Sequence, residues 1–256
     1  MDLVTGEDPA AERATAKELL GAATRITVLT GAGLSTASGI PDFRGPAGLW
    51  TADPEAERIS TLDWYLYDEG VRRAAWRYRA ASSVWQARPN AAHRALARLE
   101  DQGRLRAIIT QNTDGLHQQA GSRAVLEMHG NVHTWRCETC RAEGPMAEAV
   151  ARVRAGDPDP RCPSCGGVIR ATTILFGENL DQRVLTAAYA AAEDCDLLLA
   201  VGTSLTVHPV AGLVSVAGSA GARIVIVNGE PTPYDRRADA VVREPIETIL
   251  PRLIGA

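Results

Sequence analysis

The stretch that decides the fold is ITVLTGAGLS, residues 26–35, in which a short β-branched run ends in a glycine-rich turn. The run predicts a strand, and glycines directly after it let the backbone approach a neighbouring group closely. A helix following such a turn would offer free N–H groups to a pyrophosphate. Thr36 stands where the third glycine of the dinucleotide fingerprint belongs, so the motif alone is equally compatible with an ordinary tight turn.

Strands and helices alternate outward from this stretch. Helices are predicted over 11–23, over 91–102 (with Asn90 as N-cap and Gly103 as its end), and over 182–194 and 210–220. Further strands are predicted at 105–110, 172–176, 197–201 and 223–227. Nearly continuous apolar strands separated by helices predict the α/β class, with a doubly wound, Rossmann-like parallel sheet covered on both faces.

Two segments interrupt the alternation and are interpreted as smaller modules. Residues 46–89 are rich in Trp and Tyr, which predicts the core of a helical module. Residues 136–169 contain four of the five cysteines and are interpreted as an inserted zinc-binding module. The Rossmann-like domain then consists of 1–45, 90–135 and 170–256.

The four cysteines form two Cys-x-x-Cys pairs, Cys137/Cys140 and Cys162/Cys165, with 21 residues between the pairs. Four thiolates complete the tetrahedral coordination of Zn²⁺ and leave no open position, so one structural zinc per chain is predicted. A disulfide framework is the competing interpretation, and it is disfavoured in a cytoplasmic chain with an ample core. Cys195 is expected to be a small buried apolar residue.

Polar residues follow three of the predicted strands, where open parallel sheets bind their ligands. Gln111-Asn112-Thr113-Asp114 follows the strand at 105–110, Gly202-Thr203-Ser204 follows 197–201, and Asn228-Gly229-Glu230 follows 223–227. Any one of these segments could be an ordinary loop, but together they favour nucleotide contact. His129 lies between Met128 and Gly130 in a predicted loop, and its ordinary pKa near neutrality suits a general base.

The charge balance excludes some classes of function. The chain has 31 acidic and 27 basic side chains and a net charge of −4, which argues against a nucleic-acid-binding protein. The first 25 residues lack the apolar segment of a signal peptide, and no apolar run approaches the roughly 20 residues of a membrane span. We therefore expect a cytoplasmic protein with neither a membrane nor a specific nucleic acid as partner.

The segments GAGLSTASGIPDFRG, QNTDGLH, EMHGN, the two Cys-x-x-Cys pairs, FGE, GTS and VNGE occur in this order between about residues 30 and 246. In this ordered set the chain resembles the sirtuin family of NAD-dependent protein deacylases, and a bacterial or archaeal-type catalytic core in particular. The resemblance implies a protein-lysine deacetylase with NAD as co-substrate. The acyl group would pass from an acyl-lysine protein or peptide to ADP-ribose, with release of nicotinamide. We expect a monomer.

The resemblance also implies the site residues. His129 would be the catalytic base and Asn112 a second catalytic residue. The NAD-binding set would be Gly31, Ala32, Gly33, Ser35, Phe43, Arg44, Gln111, Asn112, Asp114, Gly202, Thr203, Ser204, Asn228, Gly229, Glu230 and Ile246. The substrate peptide would add as a strand beside Phe176, Gly177, Glu178 and Val207.

The acyl preference and the reaction type each have more than one interpretation. Family members that remove acidic acyl groups carry a Tyr-x-x-Arg pair. Alignment puts Trp76 and Arg79 at these positions, so the Arg is kept and the Tyr is not. We therefore predict removal of acetyl and other neutral acyl groups, with only weak removal of succinyl groups. Arg79 could bind an acyl carboxylate or be a solvated helix charge. A protein ADP-ribosyltransferase, or a longer-chain or acidic deacylase, would use the same scaffold. A dehydrogenase is disfavoured by the incomplete glycine fingerprint. A zinc-ribbon nucleic-acid module is disfavoured by the acidic balance.

Overall fold

The structure is a computed structural model and describes residues 8–42 and 55–255. Its strands are β1 (Ile26–Thr30), β2 (Leu105–Thr110), β3 (Val125–Glu127), β4 (Thr134–Cys137), β5 (Glu143–Pro145), β6 (Ile169–Ala171), β7 (Leu197–Val201), β8 (Arg223–Val227) and β9 (Ala240–Val242). Its α-helices are α1 (Pro9–Ala22), α2 (Glu55–Arg58), α3 (Leu62–Tyr67), α4 (Glu69–Ala81), α5 (Ala91–Asp101), α6 (Leu116–Gln119), α7 (Met146–Arg154), α8 (Gln182–Glu193), α9 (Leu213–Ser219) and α10 (Ile246–Ile254). Short 3-10 turns lie at Ala32–Leu34, Thr36–Ser38, Ser83–Trp85, Val210–Gly212 and Asp235–Arg237.

The main sheet has six strands in the order β3-β2-β1-β7-β8-β9, and every adjacent pair is parallel. Numbered along the chain, these strands have the order 3-2-1-4-5-6 of a doubly wound nucleotide-binding sheet. The predicted fold class is confirmed. Because the winding reverses between β1 and β7, a crevice opens beyond the carboxyl ends of these two strands.

Helices cover both faces of the sheet because the fully buried strands present apolar side chains in both directions. Val28 belongs to the core under α1, α5 and α10, and the adjacent Leu29 belongs to the core under α8 and α9. All five residues of β1 and of β7 are buried. This two-sided burial holds the strand ends, and therefore the loops that follow them, in a fixed arrangement.

The cysteine-containing segment forms a second, antiparallel sheet in the order β5-β4-β6. Its core joins Trp135, Cys137 and Met146 to Trp76 of α4, which is fully buried. A buried ion pair reinforces this junction, since the Arg72 guanidinium of α4 donates to both carboxylate oxygens of Asp159 at 2.8–2.9 Å. The helical segment and the cysteine segment therefore share one core.

One predicted strand is wrong. Residues 172–176 do not join the main sheet; the strand in this region is β6, in the small sheet, and Phe176 makes only an isolated bridge to Thr61. The reason is that the backbone partners of this segment come from different parts of the chain: Ile174 N–H donates to His129 O and Phe176 N–H donates to Ser60 O. The apolar pattern shows burial, but not the identity of the partners.

Helix ends follow local capping chemistry. α5 begins after Asn90, as predicted, because the Asn90 side chain accepts from the backbone N–H of Ala92 and His93. The His93 ring completes a capping box by accepting from the Asn90 N–H.

The strands β3 and β9 were not predicted, because three residues are too few for a recognisable pattern. Within the described residues, no helix has the length and apolar character to cross a bilayer.

Candidate active site

The glycine-rich turn packs directly on the loop after β7. Gly31 N–H donates to Val201 O and Gly33 N–H to Gly202 O. A Cβ at Gly31 would lie 2.7 Å from Gly202 O, and one at Gly33 would lie 2.9 Å from Gly202 Cα. The glycines were expected to let a pyrophosphate approach, and in the structure they let two loops meet at the point where the sheet reverses. Ala32 lies between them, half-buried.

A buried polar cluster closes the floor of the crevice. Asn112 Nδ2 donates to Gly31 O at 3.1 Å and to Ser35 Oγ at 3.2 Å. Ser35 Oγ donates to Asp114 Oδ2 at 2.7 Å, and Leu116 N–H donates to Asp114 Oδ1. Because Gly31 O can only accept, the Asn112 amide orientation is determined, and its Oδ1 remains as an acceptor for a hydroxyl group.

His129 lies just beyond β3, at the side of the crevice. Its Nδ1 is 3.1 Å from the carbonyl oxygen of Gln111, which can only accept, so Nδ1 carries the proton and Nε2 has a lone pair. Burial lowers the pKa of His129, and the hydrogen bond to Gln111 opposes this shift. The neighbouring Gly130 has φ 71°, and a Cβ there would lie 2.1 Å from Thr172 O. Only glycine fits at this position, and this restricts the backbone path next to the His129 ring.

Further predicted residues line the loops after β2, β7 and β8. The Gln111 side chain donates to Thr203 Oγ1 at 2.9 Å, which joins the loops after β2 and β7. Ser204 Oγ lies 2.8 Å from Thr206 Oγ1. Asn228 is buried and donates to Glu230 O, whereas Gly229 and Glu230 are exposed.

The predicted NAD set has three further members, Ile246, Phe43 and Arg44. Ile246 begins α10 and is part of the core on which the turn at 32–34 packs. Phe43 and Arg44 lie outside the described residues.

The predicted substrate segment connects the two sheets. Glu178 does not project freely, because its carboxylate forms an ion pair with buried Arg170 and accepts from Leu175 N–H. Phe176 is exposed, Gly177 has φ 95° with open space around it, and Val207 is half-buried. Ser60 and Leu62 already pair with the backbone of Phe176, so one edge of this segment is occupied.

Trp76 and Arg79 lie at the junction of the helical and cysteine segments. Trp76 is fully buried, and the Arg79 guanidinium carbon is 5.0 Å from the Trp76 ring centroid. Burial raises the pKa of the Tyr65 hydroxyl, and the nearby charge of Arg79 opposes this shift. Its Nη1 is buried without a hydrogen-bond partner among the described residues.

The four predicted metal ligands converge on one point. The Sγ atoms of Cys137, Cys140, Cys162 and Cys165 all lie within 4.8 Å of one another. The pairs Cys137–Cys165 and Cys140–Cys162 are separated by 3.5 and 3.6 Å. Thiolates placed about 2.3 Å from a tetrahedral Zn²⁺ would be roughly 3.8 Å apart, so the residues fit a closed zinc site. Cys195 is buried elsewhere, as expected.

Some residues that shape the crevice were missed by sequence reasoning. His133 Nε2 is 2.8 Å from Asp114 O, and Asn90 Nδ2 donates to Leu34 O. Arg170, Thr30 and Thr110 are buried and hydrogen-bonded beneath the loops. Their positions carry no motif of their own, and only the three-dimensional contacts reveal them.

Comparison with known proteins supports the motif-based resemblance. A family model described as the Sir2 family matches residues 31–209. The NAD-dependent protein deacetylase 2 of Streptomyces coelicolor is 53% identical over 231 residues, which cover 90% of this chain and 96% of the relative. A structure from work on the mechanism and regulation of Sir2 enzymes has a TM-score of 0.88 at 39% identity, covering 96% of this chain and 97% of its own. A Sir2 with deacetylated peptide and 3′-O-acetyl-ADP-ribose has a TM-score of 0.86 at 34% identity, covering 93% and 96%.

Proposed function

The chain belongs to the Sir2 family, and on that premise we propose that it is an NAD-dependent protein-lysine deacetylase. The observation that carries the proposal is the placement of His129 beside the Gln111–Asn112 loop, with its proton on Nδ1 and a lone pair on Nε2. A half-buried base of this kind, next to a nucleotide crevice and away from any metal ligand, suits transfer of an acyl group to a ribose hydroxyl.

Asn112 and His129 have separate roles in the reaction. Asn112 Oδ1 accepts from a ribose hydroxyl, since its amide nitrogen is already bonded to Gly31 and Ser35. His129 Nε2 takes the proton of the hydroxyl that receives the acyl group, and burial keeps this imidazole neutral near pH 7. NAD supplies the ribose as co-substrate, nicotinamide leaves, one water molecule is consumed, and the products are lysine and O-acetyl-ADP-ribose. Much of the rate enhancement comes from orienting the two substrates.

The substrate peptide adds as a strand at one edge of the segment around Phe176 and Gly177, opposite Val207. The other edge is excluded because Ser60 and Leu62 occupy it. Glu178 acts through the segment and not through direct contact, because its carboxylate is engaged by Arg170. The acyl-lysine side chain then passes between this edge and His129.

The preferred acyl group is acetyl or another neutral group. Arg79 would have to leave the Trp76 ring, against which its guanidinium lies, to reach an acidic acyl chain. Trp76 cannot make room, since it is fully buried in the core shared with the cysteine segment.

The fourfold thiolate site holds a structural zinc, with all four positions filled by Cys137, Cys140, Cys162 and Cys165. Reduced thiolates suit a cytoplasmic protein. The partners are acyl-lysine proteins or peptides, and the enzyme acts as a monomer.

The test combines products with a mutation. Wild type incubated with NAD and an acetyl-lysine peptide should yield nicotinamide and O-acetyl-ADP-ribose in equal amounts, as measured by mass spectrometry. His129→Ala should lose about 10²–10⁴-fold in kcat while retaining NAD binding, because it removes only the base. ADP-ribosylated protein as the main product would favour the transferase alternative, and an unchanged His129→Ala rate would contradict the assigned role.

The same assay with acetyl-, butyryl- and succinyl-lysine peptides checks acyl preference. We expect the highest kcat/KM for acetyl or butyryl. Fastest turnover of the succinyl peptide would instead assign Arg79 to the acyl pocket.

A further inference from the structure

Two buried imidazoles lie beneath the crevice and take no part in the mechanism above. His93 of α5 is fully buried and His117 of α6 is 1% exposed. Their ring centroids are 5.1 Å apart at an interplanar angle of 60°. Each ring has one nitrogen in a hydrogen bond and one that is buried without a partner, namely His93 Nε2 and His117 Nδ1.

The tautomer of His93 follows from the start of α5. The Asn90 N–H points at His93 Nδ1, at 3.4 Å, so Nδ1 must accept. Burial lowers the pKa of His93 to about 4, so the ring is neutral near pH 7. Its single proton therefore lies on Nε2, which makes the unpartnered nitrogen a donor.

The tautomer of His117 follows from two threonines. Thr30 Oγ1 donates its only proton to Thr110 Oγ1 at 2.8 Å. At its 3.0 Å contact with His117 Nε2, Thr30 Oγ1 must therefore accept. Burial lowers the pKa of His117 to about 3, so this ring is also neutral, with a lone pair on Nδ1. The unpartnered nitrogen of His117 is an acceptor.

An unpartnered donor and an unpartnered acceptor thus lie on two neighbouring buried rings. We propose that His93 Nε2–H donates to His117 Nδ1, and that this neutral pair is a positioning element for the Asn112 loop. Two rings whose centroids are 5.1 Å apart can bring one nitrogen of each to hydrogen-bonding distance. The bond satisfies both buried atoms at once, as is usual for buried polar groups.

The pair completes a continuous chain of hydrogen bonds beneath the crevice. On one side, Thr110 Oγ1 accepts from Asn112 N–H at 3.0 Å, so the chain ends on the backbone of a site residue. On the other side, Asn90 bonds Leu34 O and Ser38 Oγ in the glycine-rich turn. His93 and His117 therefore connect the glycine-rich turn, on one side of the crevice, with the loop that carries Asn112, on the other side. The effect on catalysis rests on the proposed function, whereas the bond itself does not.

The direct test is histidine ¹⁵N NMR of the full-length, zinc-loaded protein at pH 7. We expect His93 and His117 both as neutral Nε2–H tautomers, with the His117 Nδ1 resonance shifted as in a hydrogen-bonded acceptor. His93→Leu should move that resonance toward the value of an unbonded nitrogen, because leucine has no donor. A charged ring, an Nδ1–H tautomer in either residue, or a His117 signal insensitive to His93→Leu would overturn the bond. None of these readings depends on deacetylase activity.

The positioning role is tested with the same variant. Leucine has no side-chain hydrogen-bond donor, and the Asn90 side chain still accepts from the backbone N–H groups of residues 92 and 93, so His93→Leu keeps this part of the α5 cap while removing the imidazole donor. We expect kcat/KM for NAD to fall about 10-fold, as for loss of one buried hydrogen bond, with NAD affinity measured separately by calorimetry.

His117→Asn, which lacks the reach to Thr30, serves as a second variant, and the double variant should be no worse than His117→Asn alone. Wild-type kcat/KM and wild-type NAD affinity in both single variants would overturn the positioning role.

Discussion

At the scale of single residues, the polar groups of the crevice act mainly on one another. Asn112, Ser35 and Asp114 are each at least nine-tenths buried, and their hydrogen bonds run from one to the next. Such a cluster is costly to bury unless it is fully bonded, so each member restricts the orientation of the others. The ligand-facing atoms are those that this internal bonding leaves over, such as Asn112 Oδ1 and His129 Nε2.

The buried histidines make stability depend on acid pH. Their folded-state pKa values of about 4 and about 3 lie below the ordinary value of 6.5. For both rings desolvation is the largest cause; Asp114 raises and Arg94 lowers the pKa of His93, and His93 lowers that of His117. Between these values and pH 6.5 the unfolded chain binds more protons than the native state, so their contribution is complete above about pH 6.5 and is lost as the pH falls toward 4 and 3.

We therefore expect the free energy of unfolding to fall with acidification below pH 6.5, by about 1.4 kcal/mol per pH unit for each of the two rings. Urea titrations at pH 7, 6 and 5 measure this slope. In a His93→Leu, His117→Asn double variant the slope should be shallower, because neither replacement titrates in this range. The zinc thiolates titrate in both proteins, so only the difference between the slopes reports the pair. Equal slopes would contradict the assignment.

At the scale of elements, the segment 172–178 is governed by Arg170 of β6. The Arg170 side chain is 2% exposed, pairs with Glu178, and reaches Glu138 Oε1 at 2.8 Å. It also donates to Thr173 O. Glu138 lies between two of the zinc ligands, Cys137 and Cys140, so one guanidinium connects the cysteine segment with the proposed peptide-binding segment.

Arg170→Leu should raise the KM for the peptide about 10-fold or more with a smaller effect on the KM for NAD, because it removes the ion-pair partner of Glu178 and the connection to Glu138 and so loosens the segment. Glu178→Gln should act in the same direction, and the double variant should be less than additive. Arg141→Ala is the matched control: Arg141 also approaches Glu138, at 3.5 Å, but is 65% exposed and should leave both KM values unchanged. An unchanged peptide KM in Arg170→Leu would contradict the connection.

At the scale of the whole molecule, the cysteine site supports more than its own segment. Cys137 and Cys162 belong to the same apolar core as Trp76 and Trp135, and α4 packs on α7. A closed zinc site in such a core contributes folding free energy directly. Its loss should therefore spread into the helical segment while the main sheet, with its two separate cores, persists.

Chelation should raise hydrogen exchange over 134–171 and 62–85 and abolish deacetylation, while β1, β2 and β7 remain protected. Exchange mass spectrometry with and without chelator measures this, and zinc addition should restore both protection and activity. Full activity with unchanged exchange after the metal is removed would show that the zinc is dispensable.

The sequence was sufficient for the parallel sheet, since buried strands such as 197–201 are continuous apolar runs between helices. It was also sufficient to predict the clustering of the four cysteines, because two Cys-x-x-Cys pairs with this spacing are typical of a four-thiolate zinc site. It failed at 172–176, where burial resembled a sheet strand although the backbone partners come from three places. It also missed His93 and His117, because a buried histidine pair depends on contacts between residues distant in sequence and has no local pattern.

The segment 172–178 is held by three parts of the protein: Ile174 bonds His129 O, Phe176 bonds Ser60 O, and Glu178 bonds Arg170. Exchanging this segment alone between relatives would transfer one partner of each contact and leave the other partner unchanged. Such an exchange is the obvious way to transfer selectivity for the sequence of the substrate peptide. Selectivity should therefore be inherited in evolution as a block, with changes at 60, 129 and 170 accompanying those in the segment. Chimeras that respect these three attachment points should transfer it, and simple loop grafts should not.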